Sequence, residues 1–332
     1  MLMGNSSNGI YLSVVLPVFN EEENLPVLME ELYSVCNSLG RNYEVIFVDD
    51  CSQDRTPEIL RRFADRDPRV KVLRFSRNFG HQAALSAGMD VAAGDLTITM
   101  DSDFQHPPRL IPEFIKHAED GSDIVIGERI TNQQNSFIRE NIGRIFYKFL
   151  SSITGLEFKN VSDFTLYKKP VLKVIRHMPE KERFLRGMVQ WVGFKKKYLP
   201  YTAEARRYGQ SKYSLRRLLF GFVVNGITSF SAFPLRLAFW VGLIVLMFSV
   251  AFSGYVVWDH YANPNPLNKG NSTIVILVLF LGSLQMMVLG VVGEYLYKMF
   301  HEVKGRPLYI VSDTCNIDKE KIEISPYGIH NS

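Results

Sequence analysis

Cysteine is scarce in this chain. There are three in 332 residues, Cys36, Cys51 and Cys315, and none lies at metal-ligand spacing from another. An odd, scattered set argues against a disulfide framework and for a reducing compartment. The stretch from Met1 to Tyr11 is polar and lacks an apolar core, so no cleaved signal peptide is expected. The domain that follows is therefore expected to stay in the cytosol. Excess charge of one sign is also small. There are 38 Lys and Arg against 34 Asp and Glu, a net +4, too little to indicate nucleic acid as a partner. The sharpest absence is local: charge almost vanishes between 237 and 293.

Leu237–Trp258 and Thr273–Gly293 are 22 and 21 residues long and carry no charge. A helix of either length crosses the roughly 30 Å of hydrocarbon in a bilayer. The connection between them is short and polar, with Asn263, Pro264, Asn265 and Pro266, and the pair reads as a transmembrane hairpin. Two buried core helices are the plainer alternative. Arg216, Arg217, Arg236, Lys298, Lys304 and Arg306 flank the outer ends, and only Lys269 lies in the loop. That asymmetry predicts an integral membrane protein with the N-terminal domain and both termini cytosolic; if the source is bacterial, the membrane is the plasma membrane. Trp240, Tyr255, Trp258 and Tyr295 fall near the expected interfaces. Leu215 to Phe233 is apolar on one side and reads as an interfacial amphipathic helix. Basic residues gather ahead of it at Lys195 to Lys197, Arg206, Arg207, Lys212, Arg216 and Arg217, a pattern that suits anionic membrane lipids or simply a solvated face.

The first two hundred residues alternate short apolar runs with helical spacing. Strands are expected at Leu12–Val18, Tyr43–Val48, Val70–Phe75, Leu96–Met100 and Ile124–Gly127. Helices are expected at Glu21–Leu39, Thr56–Ala64, His81–Ala93 and Pro112–Glu119, with less regular helices at Ile138–Ile153, Pro170–His177 and Glu182–Trp191. Strand–helix alternation of this length implies an α/β fold on a parallel sheet. Ligands of such sheets sit beyond the carboxyl ends of the strands. Polar clusters fall at three of those ends: Asn20-Glu21, Asp49-Asp50 and Asp101 to Gln105. One such cluster is ordinary turn chemistry; three, after the first, second and fourth strands, are harder to dismiss and give the first functional signal. Asp101 and Asp103, two residues apart at a strand end, can offer oxygen ligands to Mg²⁺ or Mn²⁺.

A bare D-x-D is common, but here it extends through Asp101-Ser102-Asp103-Phe104-Gln105-His106-Pro107-Pro108. Around it stand Val15-Leu16-Pro17-Val18-Phe19-Asn20-Glu21, Val48-Asp49-Asp50-Cys51-Ser52, Ser76-Arg77-Asn78-Phe79-Gly80, Ser162-Asp163-Phe164, Arg206 with Gly209-Gln210-Ser211-Lys212, and Gly293-Glu294-Tyr295. In that order, over about residues 12 to 311, the chain resembles the polyprenyl-phosphate glycosyltransferases of glycosyltransferase family 2, among them bactoprenol glucosyltransferases and dolichol-phosphate mannose synthases. Cys51 departs from the family's usual Gly and Ser102 from its commoner Ala.

The resemblance implies a GT-A nucleotide-sugar-binding domain over 1–205, a basic juxtamembrane segment over 206–235, the two membrane helices within 236–297 and a cytosolic tail over 298–332. It implies inverting transfer of one sugar, UDP-glucose being the favoured donor, to undecaprenyl or dolichyl phosphate. Pro17, Phe19, Glu21, Asp50, Asp101, Ser102 and Asp103 are the implied nucleotide-sugar residues. Asp103 and Gln105 are the implied ligands of Mg²⁺ or Mn²⁺. Asp163, with Asp101, stands at the reacting centre, where Asp163 either takes a last proton or orients sugar and acceptor. A phosphate acceptor is already largely ionised near neutral pH, which lessens the need for a base. Arg129, Arg139, Arg206 and Lys212 form the implied acceptor-phosphate set, since guanidinium forks suit phosphate oxygens. Gly282, Gly290 and Gly293 allow close helix packing, within the chain or in a homo-oligomer.

Two other readings compete. A processive polysaccharide synthase of the same fold needs a membrane channel and a Q-x-x-R-W run, which is missing here; product length discriminates. A non-catalytic membrane partner subunit with a degenerate nucleotide site is disfavoured by the intact Asp101, Asp103, Gln105 and Asp163; metal-dependent turnover of a nucleotide-sugar discriminates.

Overall fold

The computed structural model describes residues 9–130, 161–181, 183–202, 233–262, 270–317 and 328–330. It divides into two compact units, Met1–Leu215 with Arg306–Ser332, and Arg216–Gly305.

Among the described residues, the first unit is built on a nine-stranded sheet in the order β7-β5-β6-β4-β1-β2-β3-β8-β9. The strands are β1 (Leu12–Val18), β2 (Tyr43–Asp49), β3 (Val70–Phe75), β4 (Leu96–Thr99), β5 (Ile124–Ile130), β6 (Val161–Lys168), β7 (Lys196–Thr202), β8 (Tyr309–Cys315) and β9 (Gly328–His330). Its helices are α1 (Leu25–Ser38), α2 (Thr56–Arg66), α3 (His81–Val91), α4 (Ile111–Glu119), α5 (Lys169–Arg176) and α6 (Leu185–Trp191). Every residue of β1 and β2 is buried. Helices cover both faces of a parallel sheet, so its central strands read as unbroken apolar runs. Pro26, Pro57, Pro112 and Pro170 each stand at the first or second position of a helix, where the missing N–H costs no hydrogen bond.

The order reverses at β1: β2 and β3 extend one way, and β4 returns to its other side, parallel to it. Such a reversal opens a crevice at the carboxyl ends of β1 and β4. Helix α3 lies over β1 and β2 with little room. A Cβ on Gly88 would come within 2.3 Å of Val15 Cγ1 and 3.1 Å of Val48 Cγ2. The carbonyls at the end of α3 are capped from α5, where Arg176 donates to Met89 O and Ala92 O.

The structure differs from the sequence expectation in three places. The sheet is mostly parallel, as the family resemblance implies, but β6 runs antiparallel to β4 and β5, and β8 to β3. Asp163 lies in β6. Lys196 and Lys197, grouped above with the juxtamembrane basic residues, begin β7, and Lys196 Nζ donates to Gln190 O at 2.8 Å. The segment after 298, expected as a tail, finishes the last helix and then supplies β8 and β9, with β8 antiparallel to β3. Tyr309 of β8 stacks on Phe75 at 5.2 Å and donates to Asp90 Oδ2 at 2.9 Å. The expected helix at 138–153 and the interfacial helix at 215–233 fall on residues that are not described, Phe233 excepted.

The second unit holds α7 (Phe233–Ala262) and α8 (Gly270–Val303). At about 1.5 Å per residue, helices of 30 and 34 residues exceed the roughly 30 Å of a bilayer core. Pro234–Phe252 and Phe280–Val303 are apolar enough to cross a membrane, and neither is buried within the protein. Phe239, Trp240, Ile244, Met247, Trp258, Met286 and Leu289 are all more than half exposed. Hydrophobic residues on all sides of an unburied helix fit a bilayer as the surroundings.

Candidate active site

The loops after β1 and β2 are laced together. Asn20, in the left-handed region at φ 55°, donates its N–H to Ser52 Oγ at 2.9 Å, and its Oδ1 accepts from Gln53 N at 2.8 Å. Asparagine tolerates that conformation better than most residues. Glu21 N donates to Thr56 Oγ1 at 2.9 Å, and Glu21 Oε2 accepts from Asn24. Phe19 lies between Val18 and this turn. Cys51 also has positive φ, 64°, so the family's glycine at that position has a backbone reason. Pro17 O accepts from Ser102 Oγ at 3.2 Å, which joins the ends of β1 and β4.

Asp50 is buried and accepts from two backbone N–H groups, Phe79 at 2.6 Å and Gly80 at 2.9 Å. Burial pushes its carboxyl up, and these two bonds oppose the rise. The clamp holds Gly80, at φ 97°, as the turn into α3 and sets His81 at the first position of that helix.

His81 Nε2 stands 2.8 Å from Asp101 Oδ1, and its Nδ1 stands 3.8 Å from Asp163 Oδ2. Arg186 of α6 forks onto Asp163, Nε to Oδ1 at 2.9 Å and Nη2 to Oδ2 at 2.9 Å. Burial disfavours charge on all three titrating groups, yet opposite neighbours prevail. His81 is lifted from 6.5 to about 9, chiefly by Asp101. Asp101, though buried, is held well below the usual carboxylate range by His81 and Arg186, and Asp163 below it by Arg186. His106 is buried, and its Nδ1 accepts from Asp101 N–H at 2.8 Å. Burial lowers its pKa, in keeping with a neutral acceptor ring stacked on Phe164 at 5.1 Å.

Phe104 is buried at φ 65°. A bulky residue in that region is strained, and here the bend folds Gln105 back on Asp103. Gln105 N donates to Asp103 Oδ1 at 3.1 Å, Gln105 Nε2 donates to Asp103 Oδ2 at 2.8 Å, and Arg129 Nη1 donates to Gln105 Oε1 at 2.9 Å. Among the described residues no three His, Cys, Asp or Glu side chains surround a common metal position. The Asp103 carboxylate and Gln105 amide are hard oxygen donors. They suit a cation that takes one or two protein ligands and completes its shell with substrate phosphates and water.

The fold thus gathers Pro17 with Ser102, Asp101 with Asp163, and Asp103 with Gln105 and Arg129. Arg139, Arg206 and Lys212 lie outside the described residues. Sequence reasoning passed over His81, Arg186 and His106. His81 directly follows the quoted Ser76–Gly80 motif and His106 lies within the quoted Asp101–Pro108 run, so both were findable. Arg186 carries no local signal.

Residues 13–176 match the model of glycosyl transferase family 2, and 233–299 match that of the GtrB C-terminal hairpin. An uncharacterized glycosyltransferase of Bacillus subtilis is 37% identical over 95% of this chain and 98% of its own length. A prophage-derived bactoprenol glucosyl transferase of Shigella flexneri is 36% identical over 90% of this chain and 97% of its own. A prophage bactoprenol glucosyl transferase homolog of Escherichia coli is 35% identical over 90% and 98%. Relatives this similar, aligned through the catalytic sheet and the hairpin alike, establish that the chain is an enzyme of glycosyl transferase family 2.

Proposed function

We propose that the protein transfers one sugar from a nucleotide-sugar, UDP-glucose first among donors, to a polyprenyl phosphate at the cytosolic face of a membrane, with inversion at the anomeric carbon. The observation that carries this reading is the 36% identity to a bactoprenol glucosyl transferase across nearly the whole of both chains, hairpin included. A lipid-phosphate acceptor also accounts for two unburied apolar helices on a chain whose other unit carries a nucleotide-type crevice.

Base and ribose would lie along the loops after β1 and β2, against Pro17, Phe19, Glu21 and Asp50, with Asp101 and Ser102 at the end of β4. Asp103 and Gln105 would hold Mg²⁺ or Mn²⁺. A bound divalent cation supplies charge neutralisation for a diphosphate leaving group. Arg129, with Arg139, Arg206 and Lys212, would receive the acceptor phosphate. An acceptor oxygen attacks the anomeric carbon as the bond to the diphosphate breaks, and the electron pair leaves with the diphosphate. The acceptor phosphate is mostly dianionic near neutral pH, since its second pKa is about 6, so the step requires no proton transfer.

Cytosolic placement of the catalytic unit and both termini is supported by Lys and Arg at the outer ends of the hairpin. Transfer of radiolabelled sugar to undecaprenyl phosphate in detergent, from a panel of UDP- and GDP-sugars with Mg²⁺ or Mn²⁺, tests the reading. One sugar per lipid, lost in Asp103→Ala, is expected. A polymeric product would favour the synthase reading, and no lipid product from any donor would sink the proposal.

A further inference from the structure

Asp163 is the natural choice for a proton acceptor, but its surroundings do not suit that task. The carboxylate is 8% exposed, and the Arg186 fork occupies one lone-pair direction on each oxygen. Its backbone is fixed as well, since Asp163 O accepts from Thr99 Oγ1 of β4 at 2.6 Å. Arg186 is the second residue of α6, and the N–H of the first, Leu185, is held by Gln82 Oε1 at 3.1 Å. Gln82 follows His81 in α3. The fork and the imidazole are thus tied to each other through the first turns of two helices. His81 spans the carboxylates at the end of β4 and within β6, close to both Asp101 and Asp163. A cation at a helix N-terminus is opposed by the helix dipole, so the carboxylates, and not the helix, account for the position of this ring.

We propose that Arg186 and His81 are positioning residues for sugar transfer: they hold Asp163 in register with Asp101 as an ionised acceptor that orients a hydroxyl of the donor sugar, and Asp163 removes no proton. Each carboxylate oxygen has two acceptor positions; the second on Oδ2 faces His81 Nδ1 at 3.8 Å, and the second on Oδ1 is left for a hydroxyl. The inference rests on the transferase reading above, with the balance of bonds given there: the phosphate oxygen–carbon bond forms, the carbon–diphosphate bond breaks and no proton moves.

Full-length protein in detergent, as wild type, Arg186→Gln, Arg186→Lys and His81→Gln, separates the possibilities. Both lipid transfer and slow hydrolysis of the donor without acceptor are measured, with thermal unfolding alongside. Misplacing a reacting group costs on the order of 10–100-fold in rate. A kcat loss of that size is expected in Arg186→Gln, at a donor KM altered by less than about threefold, with part of the rate restored in Arg186→Lys. His81→Gln is expected to lose kcat in the same sense. Hydrolysis is expected to fall in parallel with transfer, because the donor is what Asp163 orients. Turnover in Arg186→Gln equal to or above wild type overturns the proposal, since a freed, more basic Asp163 improves a proton acceptor. Unchanged hydrolysis with impaired transfer also overturns it. Hydrolysis that depends on Arg186 in a protein that transfers to no polyprenyl phosphate supports the positioning role and removes the acceptor reading alone.

Discussion

Two residues carry measurable consequences by themselves. Cys51 sits at φ 64°, where an L side chain costs about 1–2 kcal/mol. Glycine avoids that penalty but loses roughly 0.5–1 kcal/mol more in chain entropy. Cys51→Gly is therefore expected to stabilise the catalytic unit by roughly 0.5–1 kcal/mol with activity retained. A lowered thermal midpoint would refute that account of the turn. His81 faces Asp101 at the end of β4, Asp163 of β6, Arg186 of α6, and Gln82 on its own helix, with His106 across Asp101. Its folded pKa is raised, from 6.5 to about 9. The stability it contributes is fully present below 6.5 and is lost as pH rises through 9. Denaturant unfolding across that window should show a decline that His81→Gln flattens. Identical pH dependence in the two proteins would exclude the pairing.

At the scale of the element, the crevice depends on how closely α3 lies on the sheet. Gly88→Ala places a methyl against Val15 and Val48, and overpacking of this kind costs about 1–3 kcal/mol. The double variant Gly88→Ala, Val15→Ala makes room for the methyl. Its loss is expected to be smaller than the sum of the two single losses, as contacting sites are not additive. Strict additivity would show that the helix shifts instead. Most elements were legible in the sequence. β1 to β3, α3 and α4 fall within a few residues of expectation, because apolar runs and helix-starting prolines are local signals. β7 and β8 were not legible. β7 opens with lysines, and β8 pairs with a strand more than two hundred residues earlier, so nothing nearby in sequence marks either as part of the sheet.

At the scale of the whole molecule, the hairpin is an insertion. The chain leaves the catalytic unit, runs through α7 and α8, and returns to it in β8. On the membrane-hairpin reading, both ends of the inserted segment are expected to face one compartment. Affinity tags on the two termini are expected to be cut by protease from the same side of sealed vesicles; cleavage from opposite sides would contradict the pairing of β8 with β3. Tyr309 anchors the return. Tyr309→Ala removes a buried ring from Phe75 and a hydrogen bond from Asp90, and loss of a buried aromatic costs about 3–5 kcal/mol. Faster proteolysis within residues 304–308 and a lower thermal midpoint are expected.

The sequence by itself determined the α/β alternation, the charge-free helices and the three acidic strand ends, since burial, membrane crossing and strand termination all leave marks on neighbouring residues. It also carried Asp101, Asp103, Gln105 and Asp163 as chemistry-bearing positions. Only the tertiary structure decided what those groups do to one another. The bend at Phe104 sets Gln105 against Asp103, the reversal of β6 brings Asp163 to Asp101, and α3 and α6 deliver His81 and Arg186 from 20 and 23 residues away. Charge state is a property of distance and burial. Neither is written at any one position, so an aspartate whose role the sequence leaves open between base and orienting group is, in the fold, a carboxylate paired with Arg186.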